Sequence, residues 1–347
     1  MLIGTAKESY AADEALFTTR VHRAWMLGFL VLLAVAPFGL DDYWLYLTLL
    51  AAINVIAATG LNILTGYTGL VSLGQAAFMA VGAYTVAVLE RDTGVPALVA
   101  ILAGGVVAAA IGAVFGIPSL RVKGLYLAIA TIAASFILHF VFVHWESVTN
   151  GNTGIPVPPA EVFGFELDTY TALYYLVMPI TVLLVLGAAN LFRTRVGRAF
   201  IAIRDRDISA QVLGIPLTHY KLTSFAIASF YAGVAGGLWA YFFRVVTPDS
   251  FPFLMSIFLL AAIIVGGIGT ILGGILGAVF MTLTPELLRF IVDLLAPVWP
   301  GAATALSPVR TVVFGALIVL FLVFEPRGLA ELIQRARRTL QLWPFRT

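Results

Sequence analysis

Residues 257–283 read IFLLAAIIVGGIGTILGGILGAVFMTL, without one charged side chain. A helix rises about 1.5 Å per residue, so this run unbroken would reach about 40 Å, beyond the roughly 30 Å of hydrocarbon in a bilayer. It contains Gly266-Gly267-Ile268-Gly269-Thr270, a natural break. Splitting it there gives two passes in place of one. That split decides the number of crossings for the whole chain.

The rest of the chain is of the same kind. Of 347 residues 61% are hydrophobic and 11% charged, where a soluble domain is about a quarter charged. No long polar stretch remains from which to fold a second, water-soluble domain. Other apolar runs are Ala24–Leu40, Tyr43–Thr65, Leu70–Leu89, Pro96–Ile117, Leu125–Trp145, Ala172–Phe192, Leu222–Phe243 and Val309–Phe324. Backbone groups in lipid must be satisfied internally, and these runs lack the period-two alternation of a barrel. The expectation is an all-α polytopic membrane protein. Residues 1–23 form an N-terminal tail, 24–326 one transmembrane domain and 327–347 a basic tail. The first run ends at Asp41-Asp42 without a small-x-small cleavage pattern, so it reads as a retained span.

Charge sets the orientation. The loop 193–221 carries Arg193, Arg195, Arg198, Arg204, Arg206 and Lys221, the turn near Gly124 carries Arg121 and Lys123, and the tail carries Arg327, Arg335, Arg337, Arg338 and Arg346. Basic loops stay inside. The loop 146–170 has no Lys or Arg but has Glu146, Glu161, Glu166 and Asp168, and belongs outside. With the long run split, about ten helical segments place both termini inside. Without the split there are nine, and the basic tail is stranded outside. Gly269, Gly273 and Gly277, like Gly112 and Gly116, recur every four residues, the spacing of closely packed membrane helices.

Several chemistries are excluded. There is no cysteine, hence no disulfide and no thiolate. His139 and His144 stand five apart with no carboxylate on their face, and read with His22 and His219 as packed or interfacial. A net charge of +2 suggests no nucleic-acid partner. The lysines are Lys7, Lys123 and Lys221, and none follows a phosphate-loop glycine, so the chain has no such ATP site. The span centres hold no Asp, Glu, Lys or Arg, whereas ion-coupled transporters usually keep an ionisable group at that depth. Energy then comes from a partner. An ion-coupled secondary transporter remains the alternative, since sodium sites can be built of carbonyls. A non-transporting scaffold is a third reading. An integral-membrane enzyme fits least, for want of an acid–base or metal cluster.

Two stretches carry the functional expectations. In the internal loop, Asp207 suits the N-cap of a short helix through Leu213, Gly214 the position after it, and Pro216 forbids continuation. Ile208, Val212, Leu213 and Ile215 then project as an apolar knob among arginines, which fits a docking surface. An ordinary positive-inside loop explains the arginines as well but not the knob. In the second stretch, 60–84, glycines and hydroxyls crowd where two apolar helices meet. Broken helices at membrane depth are tolerated beside protein or a water-filled cavity. Residues 66–75 therefore read as backbone lining a pathway, or as a tight turn. The neutral polar residues Asn54, Asn62, Thr65, Ser72 and Gln75 are the candidates for that pathway.

Five further pieces, in order, are GYTGLVSLGQAAFM (66–79), TNGNTGI (149–155), GRAF (197–200) through Gly214-Ile215, VGGIGT (265–270) and FEPRGL (324–329). From about Leu40 to Gly328 the chain resembles the branched-chain amino acid ABC transporter permeases, of the LivM type. The resemblance implies a multi-pass subunit of the bacterial inner (plasma) membrane, in contact with lipid. It implies pairing with a second, homologous permease as a heterodimer, two cytoplasmic ATP-binding subunits and a periplasmic solute-binding protein. ATP hydrolysis would reside on those partners, so this chain is no enzyme and takes no cofactor. The loop matching 197–215 is the coupling helix of that family, with Gly197, Arg198, Arg204, Asp205, Ala210, Gly214 and Ile215 at its typical positions. Urea and short-chain amide permeases share much of the pattern, so the class is clearer than the solute.

Overall fold

The computed structural model describes residues 20–162, 164–295 and 328–342, with single positions between 312 and 323. The N-terminal tail through residue 19 lies outside the described residues. So do most of the span expected at 309–324 and the tail arginines Arg327 and Arg346. The helices are α1 (Arg20–Val35), α2 (Asp42–Asn62), α3 (Gln75–Thr93), α4 (Ala97–Phe115), α5 (Leu125–His144), α6 (Tyr170–Leu191), α7 (Arg195–Val212), α8 (Leu217–Phe243), α9 (Phe253–Gly266), α10 (Ile271–Leu295) and α11 (Gly328–Leu342).

Seven helices among the described residues are long and apolar enough to cross a membrane: Asp42–Tyr67, Ala97–Phe115, Leu125–His144, Tyr170–Leu191, Leu217–Phe243, Pro248–Gly266 and Ile271–Phe290. Leu27–Phe38 is shorter. α3 is not among the seven, because Gln75 lies at one end of it and Glu90-Arg91-Asp92 at the other. Its expected start at Leu70 is corrected to Gln75, since the chain before it is irregular. The long apolar run is split as its glycines predict: α9 ends at Gly266 and α10 begins at Ile271.

Two helices form the centre. α2 is 89% buried over its apolar window and α8 78%, against 33–44% for the other spans. Around α8 lie α3 and α4; around α2 lie α6, α9 and α10. The contacts depend on missing side chains. A Cβ on Gly82 would fall 2.0 Å from the Gly233 oxygen, and one on Gly233 would fall 2.6 Å from the Gly104 oxygen. Small residues let backbones meet where lipid supplies no hydrophobic drive. The Gly273–Gly277 spacing does the same between α9 and α10, where added Cβ atoms would strike the oxygens of Gly267 and Ala262. Leu102, Val106, Phe136 and Phe140 of α4 and α5 face outward as lipid-facing residues do.

The two ends of the bundle differ in charge. At the acidic end, loop 146–170 folds into a one-turn helix and three short strands, β1 (Ile155–Pro156), β2 (Ala160–Val162) and β3 (Phe165–Leu167). β1 pairs antiparallel with β4 (Val245–Val246), and β2 with β3. These strands have no counterpart in the sequence reading. Val157 is buried and donates its N–H to the Arg244 oxygen at 2.9 Å. At the basic end, the expected loop 193–221 is mostly helix. α8 begins at Leu217, five residues before its expected start, because Pro216 opens a new helix and a polar turn precedes the apolar run. Lys221 therefore lies on α8, buried, its Nζ 3.5 Å from the Ser119 oxygen.

Candidate functional site

At its basic end α2 continues into a π-helical stretch, Ile63–Tyr67, and residues 69–74 are irregular. The freed backbone groups find side-chain partners. Thr68 Oγ1 donates to the Ile63 oxygen at 3.0 Å, the Leu73 N–H to Thr131 Oγ1 at 2.9 Å, and the Ala76 N–H to Ser256 Oγ at 2.9 Å. This is how irregular backbone survives away from water. The chain thereby climbs back along α2. Gln75 Nε2 donates to the Ala57 oxygen at 3.1 Å, roughly 15 Å along the helix from Tyr67. α3 thus starts inside the bundle.

The second break, at Gly266–Thr270, meets the first. Asn62 Nδ2 donates to the Thr270 oxygen at 2.7 Å, and Asn62 Oδ1 accepts the Gly269 N–H at 2.9 Å. One buried amide joins both breaks. The fit excludes side chains: a Cβ on Gly66 would lie 2.0 Å from Asn62 Oδ1 and 2.5 Å from Gly269 N. A third element enters from α7. Arg204 Nη1 donates to the Gly66 oxygen at 3.0 Å, and a Cβ on Gly269 would lie 2.9 Å from the same nitrogen. Tyr67 stacks on Phe192 just before α7, with centroids 3.4 Å apart. Gly328 packs here too, where a Cβ would reach 2.4 Å from Gly267 N.

α7 is two helices across a kink at Arg206, whose φ of −157° and ψ of 99° are extended. The break falls one residue before the expected cap. Asp207 is already in the second helix and pairs with Lys123 of the α4–α5 turn. That ion pair, with the Ile208 N–H, holds its carboxyl below the usual range. The second helix ends in a Schellman motif: the Gly214 N–H reaches the Gln211 oxygen, the Ile215 N–H reaches the Ala210 oxygen, and Gly214 has φ +84°. Gly197 packs against Phe192, Arg198 donates to the Arg193 oxygen at 2.9 Å, Arg204 pairs with Asp205 at 3.2 Å, and Ala210 is buried. Ile208, Val212 and Leu213 are 73%, 83% and 80% exposed. Ile215 is half-buried, so the knob has three members, because the cap folds Ile215 back under the helix.

The pathway candidates are all buried. Asn62 and Thr65 sit at the joined breaks, and Ser72 in the irregular stretch beyond them. Asn54 donates to Thr282 Oγ1 at 3.0 Å, joining α2 to α10. The Oδ1 of Asn54 and the Oε1 of Gln75 have no hydrogen-bond partner. Sequence reasoning missed the reach of Arg204 to Gly66, which spans 138 positions. The local signal was Gly66 itself, a glycine inside a helix with no local turn to need it.

Residues 43–322 match the family model described as the branched-chain amino acid transport system permease component. The permease LivM of Salmonella typhimurium, named for high-affinity branched-chain amino acid transport, is 31% identical over 336 residues, covering 90% of this chain and 76% of that protein. LivM of Escherichia coli matches to the same extent. The LivH permease of Escherichia coli is 24% identical over 306 residues, covering 81% of this chain and 92% of that protein. No solved structure matches. The chain belongs to the family of branched-chain amino acid transport permeases.

Proposed function

We propose that this protein is the translocating permease of an ATP-driven importer for branched-chain or related amino acids. In this reading it is driven through α7 and resides in the bacterial inner membrane. One observation carries the coupling. Arg204, on the helix that presents the exposed apolar knob, donates directly to Gly66 in the joint of two broken helices. A push on α7 therefore reaches the end of α2 and the α9–α10 break directly.

Two ATP-binding subunits would dock on Ile208, Val212 and Leu213. A second permease, of which LivH-like relatives are the pattern, would complete the membrane unit, and a periplasmic binding protein would deliver solute to the acidic end. The arrangement takes the chain to have ten crossings with both termini inside. In this reading α1, α2, α3, α4, α5, α6, α8, α9 and α10 alternate between the ends, and the apolar run 309–324, most of it outside the described residues, would be the tenth pass. Alternating access would then open a path along the break held by Asn62, Thr65, Ser72 and Gln75, with Asn54 beside it.

The test is an affinity-tagged purification from native membranes, followed by reconstitution. Two ATPases and a second permease should co-purify, and the vesicles should take up leucine only with ATP. Arg204→Ala should keep the complex intact while leaving ATP hydrolysis uncoupled from uptake. Normal coupling in that variant would overturn the role given to α7, and uptake by the lone chain driven by an ion gradient would overturn the importer reading.

A further inference from the structure

The sequence of α11, GLAELIQRARRTLQL, sets Leu329, Leu332, Ile333, Ala336 and Leu340 at intervals of three and four. That spacing makes one apolar stripe along a helix. Off the stripe stand Arg335, Arg337 and Arg338, against the single carboxylate of Glu331. Glu331 and Arg335 pair one turn apart, at 3.6 Å, and the helix keeps a net positive charge. The sequence alone shows a basic tail here; the helix sets that charge beside an apolar stripe.

Among the described residues, α11 is seated on the bundle by its first turn. A Cβ on Gly328 would lie 2.4 Å from the Gly267 nitrogen, and Ala330 is buried. Leu329 packs on the cluster of Ala261, Ala262, Val265 and Met281, formed by α9 and α10. Beyond that turn the stripe is open, with Leu332 42% and Ile333 50% exposed. An amphipathic helix surrounded by water turns its apolar side to the protein core, which α11 does not. Its place supplies the reason. Gly267 directly follows the last residue of α9, so α11 starts where an apolar span ends and the headgroups begin. A helix at that depth with an apolar stripe, arginines beside it and low overall hydrophobicity suits the bilayer surface, apolar side down. The arginines select the lipid, because each basic side chain close to an anionic surface strengthens binding about fivefold.

We propose that α11 is an interfacial helix that binds the anionic phospholipids of the leaflet at the basic end of the bundle. Leu332 and Ile333 enter the acyl boundary, and Arg335, Arg337 and Arg338 meet the phosphates. Because Gly328 is locked against Gly267, the same grip holds the end of α9 at the membrane surface. This goes beyond the permease reading and needs no transport to be true.

The test uses the full-length chain in phosphatidylcholine vesicles. The chain has no cysteine, so Ile333→Cys carries a single fluorophore. Lipid with brominated acyl chains, which quenches on contact, is added as phosphatidylglycerol or as phosphatidylcholine at the same small mole fraction. The phosphatidylglycerol should quench with a several-fold higher apparent affinity, and high salt should remove the difference by screening. Arg337→Gln with Arg338→Gln should abolish most of that preference while phosphatidylcholine still quenches. Leu332→Cys repeats the measurement from a second position on the stripe. Equal quenching by the two lipids would overturn the recognition of anionic lipid, and quenching by neither would overturn the membrane contact itself. A fluorophore shielded only when ATP-binding subunits are added would overturn the proposal in favour of a protein partner.

Discussion

Asn62 makes two hydrogen bonds from one side chain to two backbone groups of another segment. Replacing it by leucine leaves a half-buried carbonyl and a half-buried N–H unpaired, at up to about 1–3 kcal/mol each. Asn62→Leu should therefore lower the thermal midpoint of the detergent-solubilised protein by several degrees, as a fluorescence melt would record. An unchanged midpoint would mean that Asn62 is not what joins the breaks. Gly82 tests a different force. Gly82→Ala sets a methyl 2.0 Å from the Gly233 oxygen, so α3 and α8 must separate. Overpacking of this kind costs roughly 1–3 kcal/mol, and the melt should show a loss of that order. Gly94→Ala, where no atom lies within 4 Å but φ is +58°, controls for backbone strain alone.

At the scale of elements, α7 is the only helix in the described structure with three large apolar side chains exposed beyond 70% within six residues. Val212→Ser with Leu213→Ser should weaken ATPase binding by about tenfold or more, since truncating central apolar anchors costs upwards of 1 kcal/mol each. Expression and membrane insertion of the permease should be unchanged. Retention of both ATPases through a salt wash would contradict the docking role. The Asp207–Lys123 pair ties the second half of α7 to the α4–α5 turn. The Asp207 pKa is lowered from 3.8 in the folded protein, so its contribution is full above that value and is lost as pH falls through the lowered one. At neutral pH Lys123→Met should loosen α7 without unfolding the bundle, because an exposed pair is worth at most about 1 kcal/mol. Hydrogen exchange across residues 207–213 should rise while that of α2 stays constant.

For the whole molecule, the proposed ten crossings make a direct prediction. A phosphatase fused after residue 347 should be silent and a fluorescent protein bright, because the first folds outside and the second inside. The same pair inserted between Gly164 and Phe165 should give the opposite result. An active phosphatase at both points would require an even number of passes between them and would return the chain to nine crossings.

Composition and periodicity determined the class, the helical fold, the split at Gly266–Thr270 and the Gly214 cap. Each follows from transfer free energy or from backbone geometry within a few residues, which a local reading can weigh. The break at 66–75 was legible for the same reason, since glycines and hydroxyls stand there where a continuous span would carry apolar side chains. What the sequence could not place were contacts between distant positions: Asn62 with Gly269, Arg204 with Gly66, and Gly82 with Gly233. Their partners are chosen by how helices of nearly uniform hydrophobicity pack. That choice turns on steric fit at single glycines rather than on any pattern along the chain, so only the tertiary structure decided it.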